Sequence, residues 1–366
     1  MNNITRAITW MLGWLALNAA ASVVETNASL TQLASGLHFT EGPASDAAGN
    51  VFFADIPADT IYKWSVSNQL SVFHTNSGGV NGLCFDASGN LVACEGDNGR
   101  IVSISPQLSV TVLASNYAGA RFNEPNDLWV DPAGGVYFTD PVYFGHAAVQ
   151  GGEHVYYISP DRRTVTRVVA DMVRPNGLVG TADGKTLYVA DWGAANVFRY
   201  TISTNDTLTG QTLFARVKCD GMTLDAEGNL YFCESAVLVY NASGQKAEQI
   251  SVPARPTNVE FGGSDRRTLF ITTDSGSLYS IRMRVKGVAP ASTINPPGLR
   301  SAVWTNGLIQ FAVTGSLSQS YSVQTSTNLA NWATVLTTNL SNTFSLWTDT
   351  DSPSYSRRFY RLRFGP

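Results

Sequence analysis

Charged residues, histidine and cysteine are all scarce in this sequence. It holds four histidines and four cysteines in 366 residues, and Asp, Glu, Lys and Arg together make up 14 %. Lysine and arginine form no run and the formal net charge is −4, so the electrostatic footprint of a nucleic-acid-binding or anionic-membrane-binding protein is missing. The 44 % of hydrophobic residues indicates an ordinary globular protein, whose predicted partners are small molecules.

Several catalytic and metal-binding motifs are missing too. No C-x-x-C occurs and the cysteines are unevenly spaced, which argues against a zinc site. No serine or cysteine lies in a nucleophile-elbow sequence, so a Ser-His-Asp hydrolase is not indicated.

Long hydrophobic runs are absent except near the N-terminus. There the 11-residue stretch AITWMLGWLAL follows Arg6 and precedes Ala19-Ala20-Ala21. It is too short for a membrane span, and the layout is that of a secretory signal peptide. We therefore predict a signal peptide over residues 1–21 and a secreted or periplasmic protein without a membrane span. A buried N-terminal helix is the alternative.

What the sequence does contain is one pattern repeated six times. An apolar run, a turn with aspartate or glycine and a second apolar run recur at 41–55, 81–95, 125–140, 175–191, 220–234 and 257–274. The turn aspartates are spaced by 40, 45, 52, 42 and 40 residues, a period typical of radial β-repeats; they are Asp46, Asp86, Asp131, Asp183, Asp225 and Asp265. Each copy reads as a β-hairpin followed by a second alternating pair, such as IYKWSVSN and LSVFHT. We predict an all-β protein with a six-bladed propeller over residues 28–288.

The repeat register predicts where the chemistry lies. The inner strand of each propeller blade lines the central channel, and both ends of the hairpin share one face because the second strand runs back. The polar residues that begin the inner strands on this face are Glu41, Asn81, Asn126, Asn176, Asp220 and Asn258. The acids that end the second strands should lie further from the axis; they are Asp55, Glu95, Asp140, Asp191 and Glu234.

These residue types suit a metal. Two carboxylates and several amide oxygens around one axis form an oxygen-only site, which favours a hard divalent cation such as Ca²⁺. Without a cation, Glu41 and Asp220 would repel each other. The alternative is that the polar residues only hydrate the channel.

The repeats also bear on the four cysteines. Export would permit disulfides among Cys84, Cys94, Cys219 and Cys233. However, Cys94 and Cys233 occupy a repeat position that other copies fill with alanine or threonine. This favours packing of small side chains in the core.

Six ordered segments resemble the gluconolactonase and regucalcin (senescence marker protein) family of six-bladed propellers. They are Glu41-Gly42-Pro43, the stretch RFNEPND at 121–127, Phe138-Thr139-Asp140-Pro141, Pro175-Asn176-Gly177-Leu178, Asp220-Gly221-Met222 and Phe261-Gly262-Gly263. The resemblance runs from about residue 30 to residue 288. The family is related to diisopropyl fluorophosphatase and staphylococcal lactonase.

The resemblance implies a set of site residues. Glu41, Asn126, Asn176 and Asp220 would hold one divalent cation, usually Ca²⁺, with Zn²⁺, Mg²⁺ or Mn²⁺ used by some members. Asp220 would also be the general base, and Arg121, Asn81 and Asn126 would hold substrate oxygens. The function implied is an exported, metal-dependent hydrolase that opens a sugar lactone.

Two other functions stay open at this point. One is a non-catalytic propeller in which a structural Ca²⁺ supports binding of a protein or glycan. The other is an esterase or phosphotriesterase-like hydrolase with the same site and a different pocket. The side chains that could shape the pocket are Tyr143, Phe144, His146 and Trp192.

The C-terminal region has a different composition. Residues 289–298 are rich in proline, serine and threonine and indicate a linker. About five short alternating runs follow in residues 299–366, which predicts a small β-sandwich of the immunoglobulin or fibronectin III type. Trp304, Trp332 and Trp347 either fill its core or stack on sugar rings, so a spacer, cell-surface or glycan contact is the predicted use.

Overall fold

The structure, a computed structural model, describes residues 22–143, 147–203, 205–288, 298–305, 307–314, 320–339 and 344–364. The predicted signal peptide at 1–21 lies outside these residues, as do residues 289–297 of the predicted linker and the side chains of Phe144 and His146. Within the described ranges, no helix has the length and hydropathy that crossing a membrane requires.

The described chain begins with a short strand, β1 (Thr31–Ala34), which is followed by the repeats. Five antiparallel four-stranded sheets are built from consecutive strands. They are β2 (Thr40–Ser45), β3 (Val51–Asp55), β4 (Thr60–Trp64) and β5 (Leu70–Thr75); β6 (Val80–Phe85), β7 (Leu91–Glu95), β8 (Arg100–Ile104) and β9 (Val110–Ala114); β12 (Leu128–Val130), β13 (Val136–Asp140), β14 (His154–Ile158) and β15 (Val165–Val169); β16 (Pro175–Gly180), β17 (Thr186–Asp191), β18 (Asn196–Ile202) and β19 (Leu208–Ala215); and β20 (Met222–Leu224), β21 (Leu230–Cys233), β22 (Val237–Tyr240) and β23 (Lys246–Ile250). A hairpin of β10 (Asn116–Tyr117) and β11 (Ala120–Arg121) lies between the second and third sheets.

The sixth sheet joins the two ends of the propeller. Its strands are β24 (Pro256–Gly262), β25 (Thr268–Thr273), β26 (Leu278–Arg282) and, as the outermost strand, β1 from the N-terminal side. The innermost strands β2, β6, β12, β16, β20 and β24 contact one another in a closed ring. This arrangement confirms the predicted all-β fold with six blades, numbered 1 to 6 from the sheet of β2.

The core lies between neighbouring blades. Successive side chains of a strand point to opposite faces of its sheet, and each blade is covered on both faces. Phe52 therefore packs towards Phe85 of blade 2, whereas Phe53 packs towards Phe270 of blade 6. This explains why β3 is apolar along most of its length and fully buried.

The turns at the opposite face explain why an aspartate is followed three residues later by glycine in repeats such as Asp46-Ala47-Ala48-Gly49. Asp46 Oδ1 accepts hydrogen bonds from the main-chain N–H of Ala48 and Asn50, both at 2.9 Å, and Gly49 adopts a φ of +90°. In blades 4 and 6 the residue that begins the turn is Thr181 or Gly263. Asp183 and Asp265 lie two residues further along, so they are turn residues but not counterparts of Asp46.

The C-terminal strands form two three-stranded sheets. One contains β27 (Gly298–Thr305), β28 (Leu308–Thr314) and β31 (Phe344–Asp349); the other contains β29 (Ser320–Ser326), β30 (Ala333–Asn339) and β32 (Phe359–Phe364). Phe311 of the first sheet contacts the ring of Tyr360 of the second at 4.7 Å. Trp347 stacks on Phe311, whereas Trp304 is 69 % exposed. The sandwich type, the domain limits and the glycan contact stay predictions.

The four cysteines are free thiols. Cys94, Cys219 and Cys233 are completely buried, and burial raises the pKa of each thiol. They therefore behave as small core side chains, the interpretation that the repeat alignment favoured for Cys94 and Cys233.

Candidate functional site

A cavity of about 420 Å³ lies at the end of the channel where the inner strands begin. It contains five of the predicted residues: Glu41, Asn81, Asn126, Asn176 and Asp220. Its other lining residues are Phe39, Ile56, Pro57, Gly79, Gly96, Asp97, Glu124, Pro125, Tyr143, Trp192 and Arg255. The structure thus brings together the four residues to which the resemblance assigns a cation.

The inner strands approach one another very closely at this end. Gly82 N donates to Asn126 O at 2.7 Å, and Gly177 N donates to Asp220 O at 3.0 Å, so each glycine binds the main chain of the next blade. A Cβ on Gly177 would lie 2.3 Å from Asp220 O. Glycine after the polar residue is therefore what allows the site residues of adjacent blades to converge.

The sixth position of this ring is Thr257, which corrects the prediction of Asn258. Pro256 pairs with Thr273 as Pro175 pairs with Asp191, so Thr257 is the counterpart of Asn176. Asn258 lies one residue deeper, and its Oδ1 accepts from its neighbour Val259 N. A shift of one residue turns a strand side chain to the other face, which is why Asn258 does not line the cavity.

Asp220 has a partner on each carboxylate oxygen. Asn176 Nδ2 donates to its Oδ1 at 2.8 Å, and Arg255 Nη1 donates to its Oδ2 at 2.6 Å. Arg255 also contacts Asp274 at 3.2 Å. The pKa of Asp220 is raised because the carboxyl is buried, while Arg255 and Asn176 act in the opposite direction. Arg255, which precedes the sixth repeat by two residues, was not predicted as a site residue.

Glu41 is the second carboxylate of the site and is 5 % exposed. Its Oε2 accepts a hydrogen bond from Gly42 N at 2.9 Å. Burial and then the charge of Asp220 raise its pKa well above the usual range. Burial and the neighbouring like charge therefore oppose the ionisation of Glu41, whereas the charge of Arg255 favours it.

Asp127 is a further buried acid that the sequence analysis did not assign. Its carboxylate accepts from Leu128 N at 2.9 Å and hydrogen-bonds the side chain of Asn258, deeper in the channel than Asn126. Burial raises its pKa to about 7. The only sequence signal for Asp127 was that it directly follows the predicted site residue Asn126 in the segment Pro125-Asn126-Asp127.

Two of the acids that end the second strands, Asp55 and Asp191, hold the loops that carry the site. Asp55 accepts from the main-chain N–H of His38 and Phe39, both at 3.1 Å, just before Glu41. Asp191 accepts in the same way from Val173 and Arg174, both at 3.0 Å, just before Asn176. These acids therefore fix the inner strands from outside the cavity, in agreement with their predicted place further from the axis.

One wall of the cavity is aromatic. Tyr143 and Trp192 meet edge to face, with ring centroids 6.2 Å apart, and the Tyr143 hydroxyl hydrogen-bonds Asn176 Nδ2. Lys218 Nζ lies 3.8 Å above the Trp192 ring and Arg174 lies 5.3 Å from the Tyr143 ring. The predicted pocket residues Tyr143 and Trp192 thus line the cavity.

The three residues that the resemblance gives to substrate oxygens differ in placement. Asn81 and Asn126 line the cavity. Arg121 does not belong to its lining, since its guanidinium donates to main-chain oxygens, to Phe122 O at 3.1 Å and to Asp97 O at 3.2 Å. A substrate-binding role of Arg121 stays a prediction.

The donor set fits a hard divalent cation, although in the part of the chain that is described no three His, Cys, Asp or Glu side chains group as a metal site. Two carboxylates and two carboxamides offer only oxygen ligands, which Ca²⁺ prefers. The raised pKa values of Glu41 and Asp220 also favour binding of a cation, because a bound cation would stabilise both ionised carboxylates. Asn176 would need to present its amide oxygen, since its Nδ2 now faces Asp220.

The fold and site define a six-bladed propeller with an oxygen-rich cavity at one end of its channel. Residues 39–275 match the family described as the SMP-30/Gluconolactonase/LRE-like region, and the chain belongs to this family. It is 29 % identical to a gluconolactonase of Zymomonas mobilis over 301 residues, 72 % of this chain and 83 % of the relative. It is 27 % identical to the lactonase drp35 of Staphylococcus saprophyticus, over 57 % of this chain and 84 % of the relative. The structure of a gluconolactonase from Xanthomonas campestris superposes with a TM-score of 0.67 at 28 % identity, covering 72 % of this chain and 92 % of that one.

Proposed function

We propose that this protein is an exported lactone hydrolase that uses a divalent cation to open a sugar lactone. The lactone-hydrolysing activity rests on the gluconolactonase and lactonase relatives. The observation that carries the proposal is the convergence of Glu41, Asn126, Asn176 and Asp220 on one cavity. An oxygen-only donor set favours Ca²⁺, with Mg²⁺, Mn²⁺ or Zn²⁺ as substitutes.

The residues of the site have different roles in the proposed hydrolysis. Glu41, Asn126, Asn176 and Asp220 would hold the cation, which when bound supplies a Lewis acid for the lactone carbonyl. Asp220 accepts a proton from the water whose oxygen attacks the carbonyl carbon. The bond between that carbon and the ring oxygen then breaks, and the proton passes to the ring oxygen, so the product is a hydroxy acid. Asn81 and Asn126 hold oxygens of the substrate.

The position of Asp220 suits this role. Asp220 is 8 % exposed and lines the cavity, and the two hydrogen bonds of its carboxylate, to Asn176 and Arg255, fix its orientation. A fixed carboxylate can take a proton without the cost of ordering itself during the reaction.

The substrate is proposed from the named activity of the relatives in Zymomonas and Xanthomonas. Polar side chains that line the cavity, including Asn81, Asp97 and Glu124, can hydrogen-bond the hydroxyl groups of a sugar lactone. The aromatic wall of Tyr143 and Trp192 can pack against the C–H face of the ring.

Hydrolysis of glucono-, galactono- and xylonolactone by the chain from Ser22 onward tests the activity. We expect turnover that is lost in EDTA and returns with a divalent cation. Asp220→Asn should lower kcat by at least about 100-fold, whereas Asp183→Asn, an exposed turn residue on the opposite face, should leave it unchanged. A folded, metal-loaded protein that hydrolyses no lactone would point to a binding propeller or to a different ester.

Export is proposed from the signal-peptide layout of residues 1–21. Cell fractionation and mass determination of the mature N-terminus test it. A mature chain that begins near Ser22 and is found outside the cytoplasm supports export, and a cytoplasmic chain that retains Met1 contradicts it.

A further inference from the structure

The carboxylate of Asp220, proposed as the general base, forms an ion pair with the guanidinium of Arg255. Arg255 Nη1 lies 2.6 Å from Asp220 Oδ2, and Arg255 Nε lies 3.2 Å from Asp274 Oδ2. The main chain supports this contact, since Asp274 N donates to Arg255 O at 3.1 Å. The guanidinium is therefore anchored at the mouth of the cavity by two acids.

Arg255 has a distinct place in the charge distribution of the cavity. Of the described residues that line it, Arg255 alone carries a positive side chain, whereas Glu41, Asp97, Glu124 and Asp220 carry carboxyl groups. Without Arg255 and without a bound metal ion, the buried carboxylates of Glu41 and Asp220 would face each other with no positive charge among the lining residues.

A divalent cation on Asp220 would have to bind a carboxylate oxygen that already has a hydrogen-bond partner. Asp220 Oδ1 is taken by Asn176 and Oδ2 by Arg255, so a metal ion on Asp220 must share or replace one of these partners. The guanidinium also repels a dication at short range, and solvent screens part of this repulsion because the Arg255 side chain is 41 % exposed. Asp274 offers the guanidinium a second carboxylate to which it stays bound when the metal ion takes Asp220.

We propose that Arg255 is an internal counter-ion of Asp220: it neutralises the carboxylate pair in the metal-free protein and lowers the affinity of the site for divalent cations. Arg255 is thus a positioning residue, and the inference rests on the proposed function. It implies a site that is folded before the metal ion arrives and that exchanges its metal ion readily.

Calcium titration of the EDTA-treated protein by calorimetry tests the inference. Arg255→Gln should bind Ca²⁺ at least about tenfold more tightly than wild type, because the competing charge is gone. A residue with only a structural role would weaken binding when removed. Arg255→Lys retains the charge and should restore an affinity close to that of wild type.

Thermal unfolding gives a second readout. In EDTA, Arg255→Gln should melt at a lower temperature than wild type, and Ca²⁺ should raise its melting temperature by more, as tighter binding requires. The matched control is Arg282→Gln. Arg282 has a similar exposure, 44 % against 41 %, and pairs with Asp265 at a turn on the opposite face, so its loss should change the Ca²⁺ affinity by less than about twofold.

Asp274→Asn keeps the test valid if Arg255→Gln does not fold. This substitution removes the second carboxylate partner of the Arg255 guanidinium, which then pairs with Asp220 alone. Ca²⁺ should therefore bind about two- to threefold more weakly. Equal or weaker Ca²⁺ binding by folded Arg255→Gln overturns the inference, as does equal or tighter binding by Asp274→Asn. If wild type itself binds no divalent cation, the metal dependence in the proposed function fails and this inference fails with it.

Discussion

Asn176 Nδ2 donates to Asp220 Oδ1 at 2.8 Å and so joins two site residues that lie near the start of the inner strands of blades 4 and 5. The contact orients the carboxylate towards the cavity from one side while Arg255 holds it from the other. Two residues that are 44 positions apart in the chain therefore act as one unit.

Asn176→Ala removes this hydrogen bond together with one proposed ligand. We expect kcat/KM for a lactone to fall by about 10- to 100-fold and the Ca²⁺ affinity to fall as well. Lactonase kinetics and calcium titration measure the two effects. Full activity with normal Ca²⁺ binding would remove Asn176 from the site.

Tyr143→Phe removes a hydroxyl that hydrogen-bonds Asn176 and lines the cavity. The ring contact with Trp192 is retained, so we expect kcat to fall by about tenfold while the melting temperature stays within about 2 °C. Tyr240→Phe in blade 5 serves as the control, since Tyr240 lies outside the cavity lining. A kcat equal to wild type would show that the hydroxyl has no part in the reaction.

The fold could be predicted from the sequence because the signal repeats. A single apolar run is ambiguous between helix and strand, but six hairpins at a spacing near 40 residues agree with one architecture. The positions of Glu41, Asn81, Asn126, Asn176 and Asp220 followed from the same register. Closure by β1 could not be predicted, because Thr31–Ala34 is too short to show periodicity.

Other parts of the site depend on three-dimensional detail. Asn258 was misplaced because the sixth copy reads Pro-Thr-Asn where the fourth reads Pro-Asn, and spacing alone does not fix a register of one residue. Arg121 and Arg255 are both near the repeats in sequence. The first donates to main-chain oxygens and the second to Asp220, a difference of side-chain direction that no motif encodes.

Glu260 gives a prediction for stability against pH. Its carboxyl hydrogen-bonds Ser45 and Thr223, and burial raises its pKa from 4.5 to about 7. Between these values the folded state binds more protons than the unfolded state, so the free energy of unfolding decreases as the pH rises from about 4.5 to about 7.

Glu260→Gln has no proton to lose. In EDTA, we expect its free energy of unfolding to decrease by about 2 kcal/mol less than that of wild type between pH 5 and pH 8. Urea unfolding at the two pH values measures this difference. The exposed Glu227→Gln variant should follow wild type, and identical pH dependence of all three proteins would contradict the prediction.

Substitution of Gly42 tests whether the close approach of the inner strands of blades 1 and 2 requires glycine. It adopts a φ of +50°, and an added Cβ would lie 2.0 Å from Asn81 O. Gly42→Ala must move the main chain beside Glu41, so we expect a loss of at least about 3 kcal/mol in unfolding free energy. Gly89→Ala has a similar φ of +80° but open space around the new methyl, and should cost about 1 kcal/mol. Equal losses would show that strain in φ, and not the contact between blades 1 and 2, sets the requirement for glycine.

The pairing of β1 with β26 predicts that the N-terminal strand is required for stability. β1 covers the edge of blade 6, where Ala34 lies opposite Leu278, and removing it would expose an unpaired strand edge in the ring. A chain that starts at Ser35 should therefore unfold at least about 3 kcal/mol more easily than one that starts at Ser22, and aggregate more readily. A chain that starts at Ser29 loses the isolated bridge between Val24 and Met283 but retains β1, so it should lie between the two. Urea unfolding of the three chains measures the order, and equal stability of the Ser35 and Ser22 chains would mean that the propeller closes without β1.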